Sequence, residues 1–85
     1  MAKVEILKLN NDGTQKVIAV CSLKGEEVVC TGDEEFVLSL SEQGIEDYTA
    51  SPPRKIFPKD GRIFLEQLKF NFKSGYLNAT EVKEE

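Results

Sequence analysis

The sequence predicts an α+β domain: a three-stranded antiparallel sheet, four-stranded if the C-terminal segment joins it, with two helices packed on one sheet face in the order β-β-β-α-α(-β). Three observations lead there. Two alternating runs rich in Val, Ile and Leu flank the turn sequence "NNDGT", a second glycine reversal follows at "KGEE", and two helix-patterned segments stand on either side of a proline-containing stretch.

The runs "KVEILKL" and "QKVIAVCSL" read as the arms of a hairpin, with Asp12-Gly13 suited to a two-residue type I′ turn. That turn sets Ile6 opposite Ala19 and Val4 opposite Cys21. It gathers Val4, Ile6, Val17, Ala19, Cys21 and Leu23 on one apolar face. The opposite face, with Glu5, Leu7, Leu9, Lys16, Ile18, Val20 and Ser22, is mixed.

A third strand, from about Glu27 to Thr31, returns beside the second after a reversal at Gly25. Two registers satisfy the pattern. A Gly25-Glu26 turn sets Cys21 opposite Cys30, whereas a Lys24-Gly25 turn sets Cys21 opposite Val28. Both keep Val28 and Cys30 on the apolar face, because the registers differ by two residues.

The stretch "TGDEEFVLSLSEQGI" has the marks of a short helix. Thr31 or Asp33 can cap its start, the acidic run Asp33-Glu34-Glu35 complements the helix dipole, and Gly44 ends it. Phe36, Val37 and Leu40 form its buried stripe, with Ile45 placed to contact Leu40. Residues 46–57 contain Pro52 and Pro53 and read as an extended loop. The second helix is expected to begin at Pro58 or to be capped by Asp60, and to run towards Gly75. Phe64, Leu65, Leu68 and Phe72 make its stripe, flanked by Ile63 and Phe70, with Tyr76 folding back on Phe70. Residues 76–82 suit an edge strand, and 83–85 are expected to fray.

At 85 residues the chain, 1–85, is expected to be a single small domain that buries only ~60% of its unfolded surface. So small a core has no room for a large catalytic cavity. No apolar stretch reaches the ~18 residues of a membrane span, and the lysine-studded start lacks a signal-peptide pattern, so a cytoplasmic location without membrane contact is expected. In that compartment Cys21 and Cys30 read as reduced, buried thiols, although a direct cross-strand pair also permits a disulfide.

The net charge of −4 is unevenly spread. Residues 1–50 carry four basic and ten acidic side chains, whereas residues 51–75 carry six basic and two acidic. Attraction between an acidic and a basic half within one fold accounts for this pattern. A basic docking face is the sharper alternative.

The sequence contains no histidine, which removes the commonest general base near neutral pH and the commonest transition-metal ligand. Two cysteines without histidine complete no tetrahedral zinc site within one chain unless carboxylates or a second copy contribute, and their eight-residue interval is not a C-x-x-C motif. Single glycines at element boundaries and contiguous rather than opposed carboxylates add no nucleotide-binding or catalytic motif. No catalytic residue, cofactor or metal is expected, and the chain reads as no enzyme. Any turnover would rest on carboxylates, Cys21, Cys30 or Tyr48.

The leading expectation is a small protein-binding module, associating with itself or with another protein through Leu7, Leu9, Ile18, Val20 and Val29 on the outer sheet face. The second is weak binding of nucleic acid or a phosphate ligand by Arg54, Lys55, Phe57, Lys59 and Arg62. The acidic pI near 4.9 weighs against it.

Overall fold

The computed structural model describes residues 2–73 and 75–83. Strand β1 (Ala2–Leu9) pairs antiparallel with β2 (Gln15–Lys24), and the expected partners Ile6–Ala19 and Val4–Cys21 are realised. The turn between them is one residue longer than the sequence suggests. Asn10 and Thr14 close a loop of Asn11, Asp12 and Gly13, with Asn10 N–H donating to the Thr14 carbonyl at 2.7 Å and Gly13 N–H to the Asn10 carbonyl at 3.1 Å. Gly13 takes a φ of +89°, as three-residue hairpin loops require after their first turn.

A bulge in β2 absorbs the extra residue. Leu7 pairs with Val17 while Ile6 pairs with Ala19, so Ile18 has no register partner. The two nearby side chains exchange places as a result. Val17, expected in the core, is exposed beside Leu7, and Ile18, expected on the outer face, packs against the core.

Strand β3 (Glu27–Gly32) follows a two-residue Gly25-Glu26 turn, which selects the register with Cys21 directly opposite Cys30. Its last residue lies against the bulge. A Cβ on Gly32 would overlap the Ile18 carbonyl oxygen, and its φ of +135° disfavours any other residue. Asp33 then bonds through its N–H to that same carbonyl at 2.8 Å, and its carboxylate accepts the Phe36 N–H at 3.0 Å to cap α1 (Glu34–Gln43). Thr31 remains within β3. Gly44 ends the helix by donating to the Leu40 carbonyl at 3.1 Å.

Residues 46–57, expected as an extended loop, are pinned at both ends. Strands β4 (Ile45–Asp47) and β5 (Arg54–Ile56) pair as a small second sheet, leaving residues 48–53 as the true loop. Ile45 and Ile56 face each other and are both buried, which rewards the pairing. A 3-10 turn over Pro58–Asp60 follows, held by the Asp60 carboxylate accepting the Phe57 N–H at 2.6 Å, and Gly61 separates it from α2 (Arg62–Asn71). Helix α2 stops at Asn71, short of Gly75, and Phe72 instead meets Phe36 edge-on at 5.5 Å between ring centroids.

Strand β6 (Leu77–Lys83) completes the main sheet in the order β3-β2-β1-β6. Lys83, expected to fray, is its last residue, and residues 84–85 lie outside the described residues. Tyr76 is exposed under the Lys8 ammonium, 5.3 Å from its ring, rather than folded onto Phe70, which is itself exposed. Val4, Ile6, Ala19, Cys21 and Val28 from the sheet join Leu40, Phe64, Leu65 and Leu68 from the helices in one core. Both helices therefore cover the inner sheet face. No helix among the described residues is long and apolar enough to cross a membrane.

Candidate functional site

The outer face of the main sheet carries no covering element among the described residues. Strand alternation places Leu7 and Leu9 of β1, Val17 and Val20 of β2, Val29 of β3 and Val82 of β6 on it. Leu9, Val17 and Val29 are 38%, 42% and 38% exposed, and Leu7 and Val20 are half-buried by their strand neighbours. Four of the five residues expected here are brought together. Ile18 is replaced by Val17, and only the bulge, which has no clear signature in "KVIAV", decides that exchange. The C-terminal strand joins the sheet edge and the proline segment packs on the helix side, so neither shields this face.

The basic segment is less free than its sequence suggests. Arg54 Nε bonds to an Asp47 carboxylate oxygen at 3.1 Å, and Lys55 Nζ approaches Glu46 at 3.3 Å, across the β4–β5 pair. The acidic and basic halves meet here inside one fold. Phe57 is half-buried, with its ring beside Gly44, so only part of it is open to a stacking base. Lys59 lies in the 3-10 turn and Arg62 at the start of α2, both exposed.

Behind these ion pairs is a polar seam that sequence reasoning missed. Asp47 is 2% exposed and accepts the Thr49 N–H at 2.9 Å, the Thr49 hydroxyl at 2.6 Å and Arg54 Nε. The Thr49 hydroxyl, with help from its N–H and from Arg54, holds the Asp47 carboxyl below its ordinary value against the opposing effect of desolvation. Asn71 on α2 accepts the Glu46 N–H at 3.0 Å and donates to the Glu46 carbonyl at 2.9 Å, as a neighbouring strand would. Buried Gln67 accepts the Tyr48 N–H at 3.1 Å. The i, i+4 spacing of Gln67 and Asn71 beside the apolar stripe of α2 was the available signal. Every buried polar side-chain atom among the described residues has a partner, so the seam reads as structural.

Cys21 and Cys30 are free thiols on the inner face, the first buried and the second half-buried. Hydrogen bonding to Cys30, followed by burial, raises the Cys21 thiol, and the same contact lowers the Cys30 thiol against the cost of its own desolvation. Among the described residues, no group of three or more His, Cys, Asp and Glu side chains could hold a metal ion. No family model matches the chain, and neither a curated protein nor a solved structure matches it.

Proposed function

We propose that this chain is a small non-enzymatic protein-binding module that pairs with a second copy of itself through the outer face of its main sheet. The observation that carries the reading is the run of exposed and half-buried apolar side chains Leu7, Leu9, Val17, Val20 and Val29 on a face that no described element covers. Four strands about 4.8 Å apart and about seven residues long project roughly 450 Å2. Side-chain relief raises the accessible area of two such faces to about the 1,000 Å2 that a specific interface needs.

Charge supports a second copy as the occupant. Lys3 and Glu5 alternate along the outer face of β1, so the patch has both signs and presents no net repulsion to itself. The absence of histidine from the sequence supports a non-enzymatic role. The nucleic-acid reading has weaker support, because Arg54 and Lys55 already have carboxylate partners.

The test is mass in solution as a function of concentration. Sedimentation equilibrium is expected to give a dimer for the unaltered chain, and a folded monomer by circular dichroism for the double variant Val20→Asp, Val29→Asp. A strict monomer at millimolar concentration, or an unchanged dimer in the double variant, sinks the proposal.

A further inference from the structure

Cys21 and Cys30 occupy a non-hydrogen-bonded position of the β2–β3 ladder. The two-residue Gly25-Glu26 turn closes on the hydrogen-bonded pair Lys24–Glu27, and alternation from there leaves Leu23–Val28 unbonded, Ser22–Val29 bonded and Cys21–Cys30 unbonded. Such a position brings facing Cα atoms to about 4.5 Å, within the span that a disulfide bridges. Both side chains lie on the inner face, and their thiols share a hydrogen bond. The two sulfurs are neighbours before any reaction.

Only one of them is open to solvent. Cys30 is half-buried and lines a hollow of about 430 Å3 in the groove between β3 and α1, whereas Cys21 has no exposed surface. Val37 and Leu38 of α1 give this hollow an apolar wall, and Glu34 is the one charged residue among those lining it. Asp33 and Glu35, on either side of Glu34, are exposed. A hollow of this size with an acidic rim admits a small reagent without negative charge and repels an anionic one. The contact with Cys21 favours the thiolate on Cys30, which is the attacking form.

We propose that Cys30 and Cys21 form a dithiol site that reduces a small disulfide bearing no negative charge and closes an internal Cys21–Cys30 disulfide. The Cys30 thiolate attacks one sulfur of the disulfide R–S–S–R. That S–S bond breaks, one RS− leaves and takes up the proton lost from Cys30, and a Cys30–S–S–R mixed disulfide remains. Capping Cys30 also removes the hydrogen bond that is the largest cause raising the Cys21 thiol. Cys21 then gives up its proton and attacks the Cys30 sulfur, expelling the second RS−, which accepts that proton. Two cysteine sulfurs are oxidised and two R sulfurs are reduced to RSH. Burial shelters Cys21 from a second reagent molecule, so the facing sulfur is its one partner. The change occurs once per chain, and excess thiol reverses it. It takes place on the inner face and does not require dimerisation.

The test uses cystamine, a small disulfide with cationic ends, in excess over the folded chain. Intact mass under denaturing conditions is expected to show first an adduct of one half-cystamine, mapped to Cys30 by peptide mass spectrometry. A chain lighter by two hydrogens and free of adduct is expected to follow. Cys21→Ala is expected to stop at the Cys30 adduct, and Cys30→Ala to stay unmodified while folded. The order of species in the unaltered chain needs no substitution, so it decides the matter even if a variant does not fold. Dithiodipropionate, of similar length with carboxylate ends, is expected to react about tenfold more slowly than cystamine, each rate taken relative to the urea-unfolded chain, and Glu34→Gln to narrow that gap. An adduct on Cys21 before Cys30, stable adducts on both, a disulfide between chains, two free thiols persisting in excess cystamine, or equal relative rates for the two reagents overturns the proposal.

Discussion

Cys21 and Cys30 face each other across the β2–β3 ladder, at register positions whose backbone groups point away from one another. The pair is asymmetric. Cys21 has no exposed surface, whereas Cys30 is half-buried and lines the hollow beside α1. The hydrogen bond between them favours the thiolate on Cys30 and disfavours it on Cys21, and thiolates are the reactive form. Iodoacetamide applied to the folded protein is expected to alkylate Cys30 first, with Cys21 labelled only on denaturation. Peptide mass spectrometry reads the order, and earlier labelling of Cys21 contradicts the arrangement.

Asn71 replaces a missing strand along β4. Truncation by Asn71→Ala leaves the Glu46 N–H and C=O without their partner and removes the bond to the Gln67 carbonyl at 2.8 Å. Each half-buried group left unpaired costs ~1–3 kcal/mol, so a loss of about 2–4 kcal/mol is expected in urea unfolding. Asn71→Asp keeps the acceptor but sets a carboxylate oxygen against the Glu46 and Gln67 carbonyls, and is expected to lose at least as much as Asn71→Ala. Unfolding curves that superimpose for Asn71→Ala and the unaltered chain would refute this role.

Asp47 is expected to contribute to the acid limb of the stability curve. Its carboxyl titrates below the ordinary 3.8 in the folded chain, so the unfolded chain binds the proton more readily. The stabilising contribution is complete above the unfolded value and is lost as pH falls through the folded one. Thermal melts across the acid range are expected to show this fall, and Asp47→Asn is expected to flatten it. An acid limb of the same slope in Asp47→Asn removes Asp47 as its source.

Gly32 is required by its contact with the bulge. Gly32→Ala adds a Cβ onto the Ile18 carbonyl oxygen in a backbone conformation that disfavours L residues. A loss of about 2–4 kcal/mol is expected, larger than Gly-to-Ala costs at open turns. Gly13→Ala, with no heavy atom within 4 Å of the added carbon, isolates the conformational part. Equal losses for the two would mean that the close approach has no weight.

Much of the architecture could be read from residue patterns because it follows local rules. Alternation in "KVEILKL", the Asp33 cap, the Gly44 stop and the apolar stripe of α2 each depend on a few neighbouring residues, and each is realised. The hairpin turn departs from the two-residue form because Asn10 and Thr14 offer a closure as good as that of Asp12-Gly13, stabilised by an Asn10 side-chain bond to the Thr14 hydroxyl at 3.0 Å. The pairing of β4 with β5 was hidden for another reason. Three-residue strands leave no periodicity, and their support comes from Asn71, 25 residues away from Glu46. The outer face was legible as an apolar surplus, but the exchange of Val17 for Ile18 depended on a bulge that no single residue announces. The groove beside β3 arises from the placement of α1 along the strand, a tertiary fact beyond any local pattern.

The bulge at Ile18 also separates two parts of the first hairpin. Its extra residue offsets the three-residue loop, so pairs from Ile6 towards Val4 keep one register while those from Leu7 to Leu9 follow another. Changes of length at the tip can therefore be taken up before they reach the buried rows. Residues 11–13, exposed and bounded by this offset, are a natural position at which to splice an epitope tag or a labelling sequence into the chain while leaving its interior undisturbed.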